Sequence, residues 1–139
     1  MFKKSLVLAS ILFANIAFAN VSKDDCSKKG EDFIFAKGEC INFKAFEGEK
    51  DGLTIIVHGT WDEGTDVIAR YSPFAEDVSM SSEITTLAVA LPGYSKSSSN
   101  KLKYIGSKTD KNLAATKEYV DFFVELVEAL KEKYESKKT

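Results

Sequence analysis

Leu53-Thr54-Ile55-Ile56-Val57-His58-Gly59-Thr60-Trp61 is the stretch on which the fold turns. Its first five residues are apolar or β-branched and carry no charge, the pattern of a strand buried on both faces of a parallel sheet. His58-Gly59 then breaks the run, and Thr60-Trp61 continues into a loop at the strand's carboxyl end. Upstream, Phe33–Phe35 and Cys40–Phe46 read as short strands separated by Ala36-Lys37-Gly38-Glu39, a hairpin signal. A polar, glycine-containing turn over Glu47–Gly52 leads into the central strand.

Downstream, Val67, Tyr71, Phe74 and Val78 recur at helical spacing. Pro73 is expected to split that helix, with Ser72 capping the second piece and Pro73 in its first turn. Ile84–Leu91 reads as a second buried strand, followed by a serine- and lysine-rich loop over Pro92–Lys103. Leu113, Thr116, Val120, Phe123, Val127, Leu130 and Tyr134 step by three or four, with Tyr119, Phe122 and Leu126 widening the stripe. Thr109 or Asp110 can cap this last helix, expected to run for about 25 residues. The order is hairpin, strand, helix, strand, helix. It makes an α/β layout with a right-handed crossover between the two buried strands.

The 139 residues are 44% hydrophobic and 29% charged, which suits one globular domain and excludes a disordered or multi-span chain. A net charge of −2 excludes a broad basic surface, so no nucleic-acid partner is expected. Lys3 and Lys4 precede an apolar run from Ser5 to Phe18, and Ala17-Phe18-Ala19 offers small residues where a signal peptidase reads. Residues 1–19 therefore read as a secretory signal peptide, with 20–139 as the domain. Cleavage would leave 139 − 19 = 120 residues, and the loss of two lysines would bring the charge to −4. About 14 apolar-leaning residues fall short of the roughly 20 needed to span a bilayer, so no stable membrane insertion is expected after cleavage. The expected location is the periplasm or the extracellular space of a bacterium. In that oxidising setting Cys26 and Cys40 are expected to pair. A closed loop of about 15 residues contributes around 3 kcal/mol in the chain-entropy treatment. It would tie the charged N-terminal segment to the first strands.

With this layout, the residues resemble the α/β-hydrolase superfamily of serine hydrolases. In that family the third strand ends in His-Gly, and the loop after it supplies one oxyanion-hole N–H. Here that place holds His58-Gly59-Thr60-Trp61. The fourth strand of many members ends in Asp-x-Pro-Gly-x-Gly-x-Ser, and this chain has Ala90-Leu91-Pro92-Gly93-Tyr94-Ser95-Lys96-Ser97. Pro92, Gly93 and Ser97 fit that pattern, while Ala90 and Ser95 depart from it. The resemblance implies the N-terminal half of a hydrolase sheet, with Thr60 giving the backbone oxyanion N–H and Trp61 in reserve as a neighbouring donor. Gly59 would permit the tight turn, His58 would brace the loop, and Trp61 would line a substrate pocket. The fifth strand with Gly-x-Ser-x-Gly, the acid and the catalytic histidine are not in these residues. The expectation is an N-terminal fragment of an exported ester, thioester or amide hydrolase, inactive alone. A small acyl substrate becomes a partner only once the missing half is supplied.

Other chemistry fits less well. His58, the single histidine, could act with Asp62, Glu63 and Asp66 as a general base or metal site. One histidine cannot make a two-histidine, one-carboxylate centre, and acids opening a helix answer its dipole. No metal or cofactor is expected. Ser95 and Ser97–Ser99 lack a second histidine to activate them. The alternative to the hydrolase fragment is a non-enzymatic exported binding module on a partial scaffold. In either case the absent fifth strand leaves the edge of Leu53–Val57 open to self-association, with Tyr119, Phe122, Phe123 and Leu126 partly exposed.

Overall fold

The computed structural model describes residues 20–106 and 113–134. The signal-peptide reading of residues 1–19 and the Thr109 or Asp110 cap lie outside them. The chain is α/β. A short helix α1 (Lys23–Ser27) precedes strands β1 (Phe33–Ala36), β2 (Glu39–Phe46) and β3 (Lys50–Val57). Helix α2 (Val67–Ser82), strand β4 (Ile84–Val89), a 3-10 turn (Leu113–Ala115) and helix α3 (Lys117–Lys133) complete the order.

Four strands form one mixed sheet in the order β1-β2-β4-β3. β1 and β2 are antiparallel, as are β2 and β4, while β3 runs parallel to β4. The hairpin turn is tighter than the four-residue signal suggested, because Ala36 pairs directly with Glu39. Lys37 (φ 48°) and Gly38 (φ 84°) alone make it, both left-handed, as a two-residue turn matched to strand twist requires. Cys26 in α1 is bonded to Cys40 in β2, with their Cα atoms 5.5 Å apart.

Three expectations need correction. Leu53–Val57 is not buried on both faces: β3 is an edge strand, four of these residues are half-buried, and Val57 is exposed. An apolar run reports that a strand can be covered, not how many neighbours cover it. Pro73 does not split α2, which runs unbroken from Val67 to Ser82, and Ser72 is an interior residue rather than a cap. Val67, Ser72, Ala75 and Ser79 are buried along one side of it, and that packing offsets the single backbone bond that proline removes. Ser72 turns its hydroxyl back to the Ile68 carbonyl.

The last helix has 17 residues rather than about 25. Thr116 is its N-cap, accepting from the Tyr119 N–H, and Leu113 belongs to the preceding 3-10 turn. The buried stripe is Tyr119, Phe122, Leu126 and Leu130, so three of the residues expected to be partly exposed are fully covered. Val120, Val124 and Val127 face outward instead. The inward stripe joins Ile41, Phe43, Leu87 and Val89 in one core, and Tyr134 sets its ring edge-on to Phe43.

Candidate functional site

The carboxyl ends of β3 and β4 lie side by side, because Val57 pairs with Val89 in the parallel ladder. His58 follows β3, is buried, and bridges the two strand ends. Its Nε2 accepts the Leu91 N–H at 2.9 Å, so the ring proton sits on Nδ1, which donates to the Gly59 carbonyl at 2.7 Å. Both nitrogens are thereby committed to backbone. Burial, only partly opposed by the bond to Gly59, holds the imidazole below its ordinary pKa and therefore neutral. A histidine with neither nitrogen open has no lone pair for general-base work. It holds the loop.

This predicts a pH dependence. The folded pKa is below the unfolded value of about 6.5, so the unfolded state takes up the proton first as pH falls. The stabilisation is complete above about pH 6.5 and is lost as pH drops from there through the folded pKa. His58 is the only histidine, so no other one titrates in that window. The melting temperature of the wild type should fall between pH 7 and pH 5 more steeply than that of His58→Gln. Parallel curves would remove the assignment.

Beyond His58, the loop's amides differ. The Trp61 N–H donates to the Tyr94 hydroxyl at 3.1 Å. That hydroxyl proton faces two carbonyls, Trp61 at 2.6 Å and Ile105. Tyr94 is fully buried and sets its ring edge-on to His58 with centroids 4.6 Å apart, and its one oxygen joins the loop after β3 to two points of the loop after β4. Among the described residues no acceptor meets the Thr60 N–H. Of the two candidate donors, Trp61 is occupied and Thr60 is not. The Trp61 ring is half-buried, with the Arg70 guanidinium 4.7 Å above its centroid and its Nε1–H directed to the Tyr71 hydroxyl at 3.3 Å. Asp66 caps α2 and accepts from Ser95, whose hydroxyl also accepts the Ile68 N–H. These bonds hold its carboxyl below the usual range. Among the described residues no group of three or more His, Cys, Asp or Glu is arranged to hold a metal ion.

The Pro92–Lys103 loop contains the residues that sequence reasoning missed. Glu39 is fully buried at the start of β2, and its carboxylate accepts four bonds. Ser98 Oγ (2.7 Å) and the Asn100 N–H (2.8 Å) reach Oε2, while the N–H groups of Lys101 (2.6 Å) and Leu102 (3.2 Å) reach Oε1. Ser97 and Ser98 continue the sheet where β4 stops. Ser97 Oγ accepts the Asn42 N–H and donates to the Ala90 carbonyl, and Ser98 Oγ accepts the Cys40 N–H. These serines are structural and hold no free nucleophile. Gly93 (φ 82°) is required, since a Cβ there would come within 2.7 Å of the Tyr104 side chain. An acid directly before the Cys40-Ile41 start of a strand is the one signal that could have pointed to Glu39.

No helix among the described residues is long and apolar enough to cross a membrane. No protein-family model, no curated protein and no solved structure matches this chain.

Proposed function

We propose that these residues are the N-terminal part of an exported α/β-hydrolase-type acyl hydrolase, with the Thr60 N–H as one donor of its oxyanion hole. The observation that carries this reading is the loop at the end of β3. His58 spans to Leu91 and fixes the loop, Tyr94 occupies the Trp61 amide, and the Thr60 amide is left without an acceptor among the described residues. An oxyanion donor has to be held in place and unoccupied before substrate arrives. The strand order β1-β2-β4-β3 supports the reading, because the resemblance puts the nucleophile strand next to the third. So does Ser95, left-handed at φ 49° at the position where the family pattern has glycine. The nucleophile, acid and second histidine would come from polypeptide outside these residues, and the chain alone would be inactive. Which of ester, thioester or amide it cleaves depends on that part.

The nucleotide sequence after the Thr139 codon gives the first test: no reading frame for a strand followed by Gly-x-Ser-x-Gly sinks the proposal. In an extended, active polypeptide, Thr60→Pro removes the N–H and should lower kcat by about 10²–10³ with the melting temperature little changed. Full activity in that variant refutes the role of Thr60. A non-enzymatic binding module is favoured by a different observation. Among the described residues every buried side-chain polar atom has a partner, so the loop cluster is complete in itself. An extended polypeptide that folds but hydrolyses no acyl substrate would decide for that second reading.

A further inference from the structure

Arg70 is the only arginine in the chain, where the lysines and arginines together number 19. A guanidinium differs from an ammonium in being planar. It can lie over an aromatic face and keep the N–H donors in its own plane for an anion. Arg70 sits over such a face, exposed near the start of α2, with its guanidinium carbon 4.7 Å from the centroid of the Trp61 ring. Asp66 stands four residues earlier, the spacing at which an acid and an arginine pair along a helix. It is turned elsewhere, accepting the Ala69 N–H and the Ser95 hydroxyl. Among the described residues no carboxylate lies within ion-pair distance of Arg70.

The platform under this cation is fixed. The Trp61 N–H donates to the Tyr94 hydroxyl, the Trp61 carbonyl accepts from it, and the indole Nε1–H is directed to the Tyr71 hydroxyl. The Tyr71 ring stands edge-on to the indole at 6.5 Å. A guanidinium resting on a fixed ring has less freedom to lose when it binds, and that preorganisation favours affinity. One turn along α2, at i+4 from Arg70 and so on the same side of the helix, Phe74 is 58% exposed. An open cation and an open aromatic ring therefore adjoin, and Thr60 is the chain neighbour of Trp61. A planar fork offers two parallel donors that suit the two oxygens of a carboxylate, and its one positive charge balances the single negative one. A phosphate group has three oxygens and up to two charges, more than one fork can meet.

We propose that Arg70, stacked on Trp61, binds the carboxylate of an apolar acid whose hydrocarbon part lies along Phe74. As the substrate class of the acyl hydrolase, this rests on the Thr60 reading: the molecule cleaved would carry a free carboxylate, held at Arg70, besides the acyl group presented to Thr60. As a binding site it stands on Trp61, Arg70 and Phe74 alone.

The composition supplies its own probes, because one arginine and one tryptophan give one guanidinium Nε–H and one indole N–H signal in the amide spectrum. The full chain is titrated with sodium hexanoate at constant ionic strength. Both signals should move along one saturable curve, with half-saturation on the order of 1 mM. Hexanamide, which keeps the hydrocarbon and lacks the charge, should bind at least about tenfold more weakly. Arg70→Gln should abolish the indole response, and Arg70→Lys should weaken binding about tenfold, since an ammonium keeps the charge without the stacked fork. Phe74→Ser should weaken hexanoate by several-fold and leave acetate unchanged. Both substituted residues are exposed, and thermal melts check that each variant folds as the wild type does. Signals that stay still, hexanamide binding as well as hexanoate, wild-type affinity in Arg70→Gln or Arg70→Lys, or inorganic phosphate binding more tightly than hexanoate would each overturn the proposal. Such a failure leaves the Thr60 reading intact. The lack of a Gly-x-Ser-x-Gly frame after Thr139 would sink that reading and leave the titration standing.

Discussion

Glu39→Ala should destabilise the chain by roughly 3–5 kcal/mol, a shift visible as a large fall in the urea midpoint with an unchanged m-value. The expectation follows from the four bonds that converge on one buried carboxylate. Three of the donors are backbone N–H groups of consecutive loop residues, Asn100, Lys101 and Leu102, and none of them has another acceptor to turn to without moving the loop. The fourth, Ser98, uses the same hydroxyl to accept from Cys40, so removing the carboxylate also frees the end of β2. Asn100 carries the connection further, bonding through its side-chain amide to the Gly38 carbonyl of the hairpin turn at 2.7 Å. Glu39→Gln separates charge from shape. The amide keeps one acceptor oxygen but sets its NH2 against donors on the other side, and about half the loss, near 2 kcal/mol, should remain. A glutamine variant as stable as wild type would show that the carboxylate is not what orders the loop.

How much of this was legible in the sequence depends on which physical signal each feature leaves. The strands, the crossover helix and the disulfide are readable because burial and pairing leave local marks: β-branched runs, helical spacing, an even pair of cysteines. The site is readable in part. His58-Gly59 marks the end of β3, but its bond to the Leu91 N–H is a tertiary fact that no spacing reports. Tyr94 sits in a stretch that reads as polar loop, yet it is fully buried and anchors the Trp61 main chain. Glu39 is hidden because an acid beside a glycine looks like a solvated turn. The last helix shows the limit of periodicity itself. Two interleaved series, Val120-Phe123-Val127 and Tyr119-Phe122-Leu126, both satisfy helical spacing, and only packing against β1 and β2 selects the second. Likewise Leu53–Val57 carries the composition of an interior strand while lying at an edge.

Reducing the Cys26–Cys40 bond should cost about 3 kcal/mol in global stability and should also change what the protein associates with. Both cysteines are buried, and Cys40 lies next to Glu39 and opposite Phe35 in the hairpin ladder. The bond is the covalent tie between α1 and the sheet. The rest of that helix is held more lightly: Ser22 caps it by accepting the Asp25 N–H at 3.1 Å, and Lys29 sits 5.4 Å from the centroid of the Phe33 ring. A five-residue helix cannot keep its place through its own backbone bonds, since a helix this short is marginal without tertiary support. Once released, it uncovers β1, whose Phe33-Ile34-Phe35-Ala36 is an apolar strand with one unpaired side. That strand then becomes an open edge, the condition for open-ended association. Urea titration and light scattering with and without reductant, repeated on Cys26→Ala/Cys40→Ala, measure both effects. The reduced chain and the double variant should each lose the same stability and scatter as large, growing assemblies. A double variant with wild-type stability and wild-type mass would show that α1 shields β1 without the disulfide.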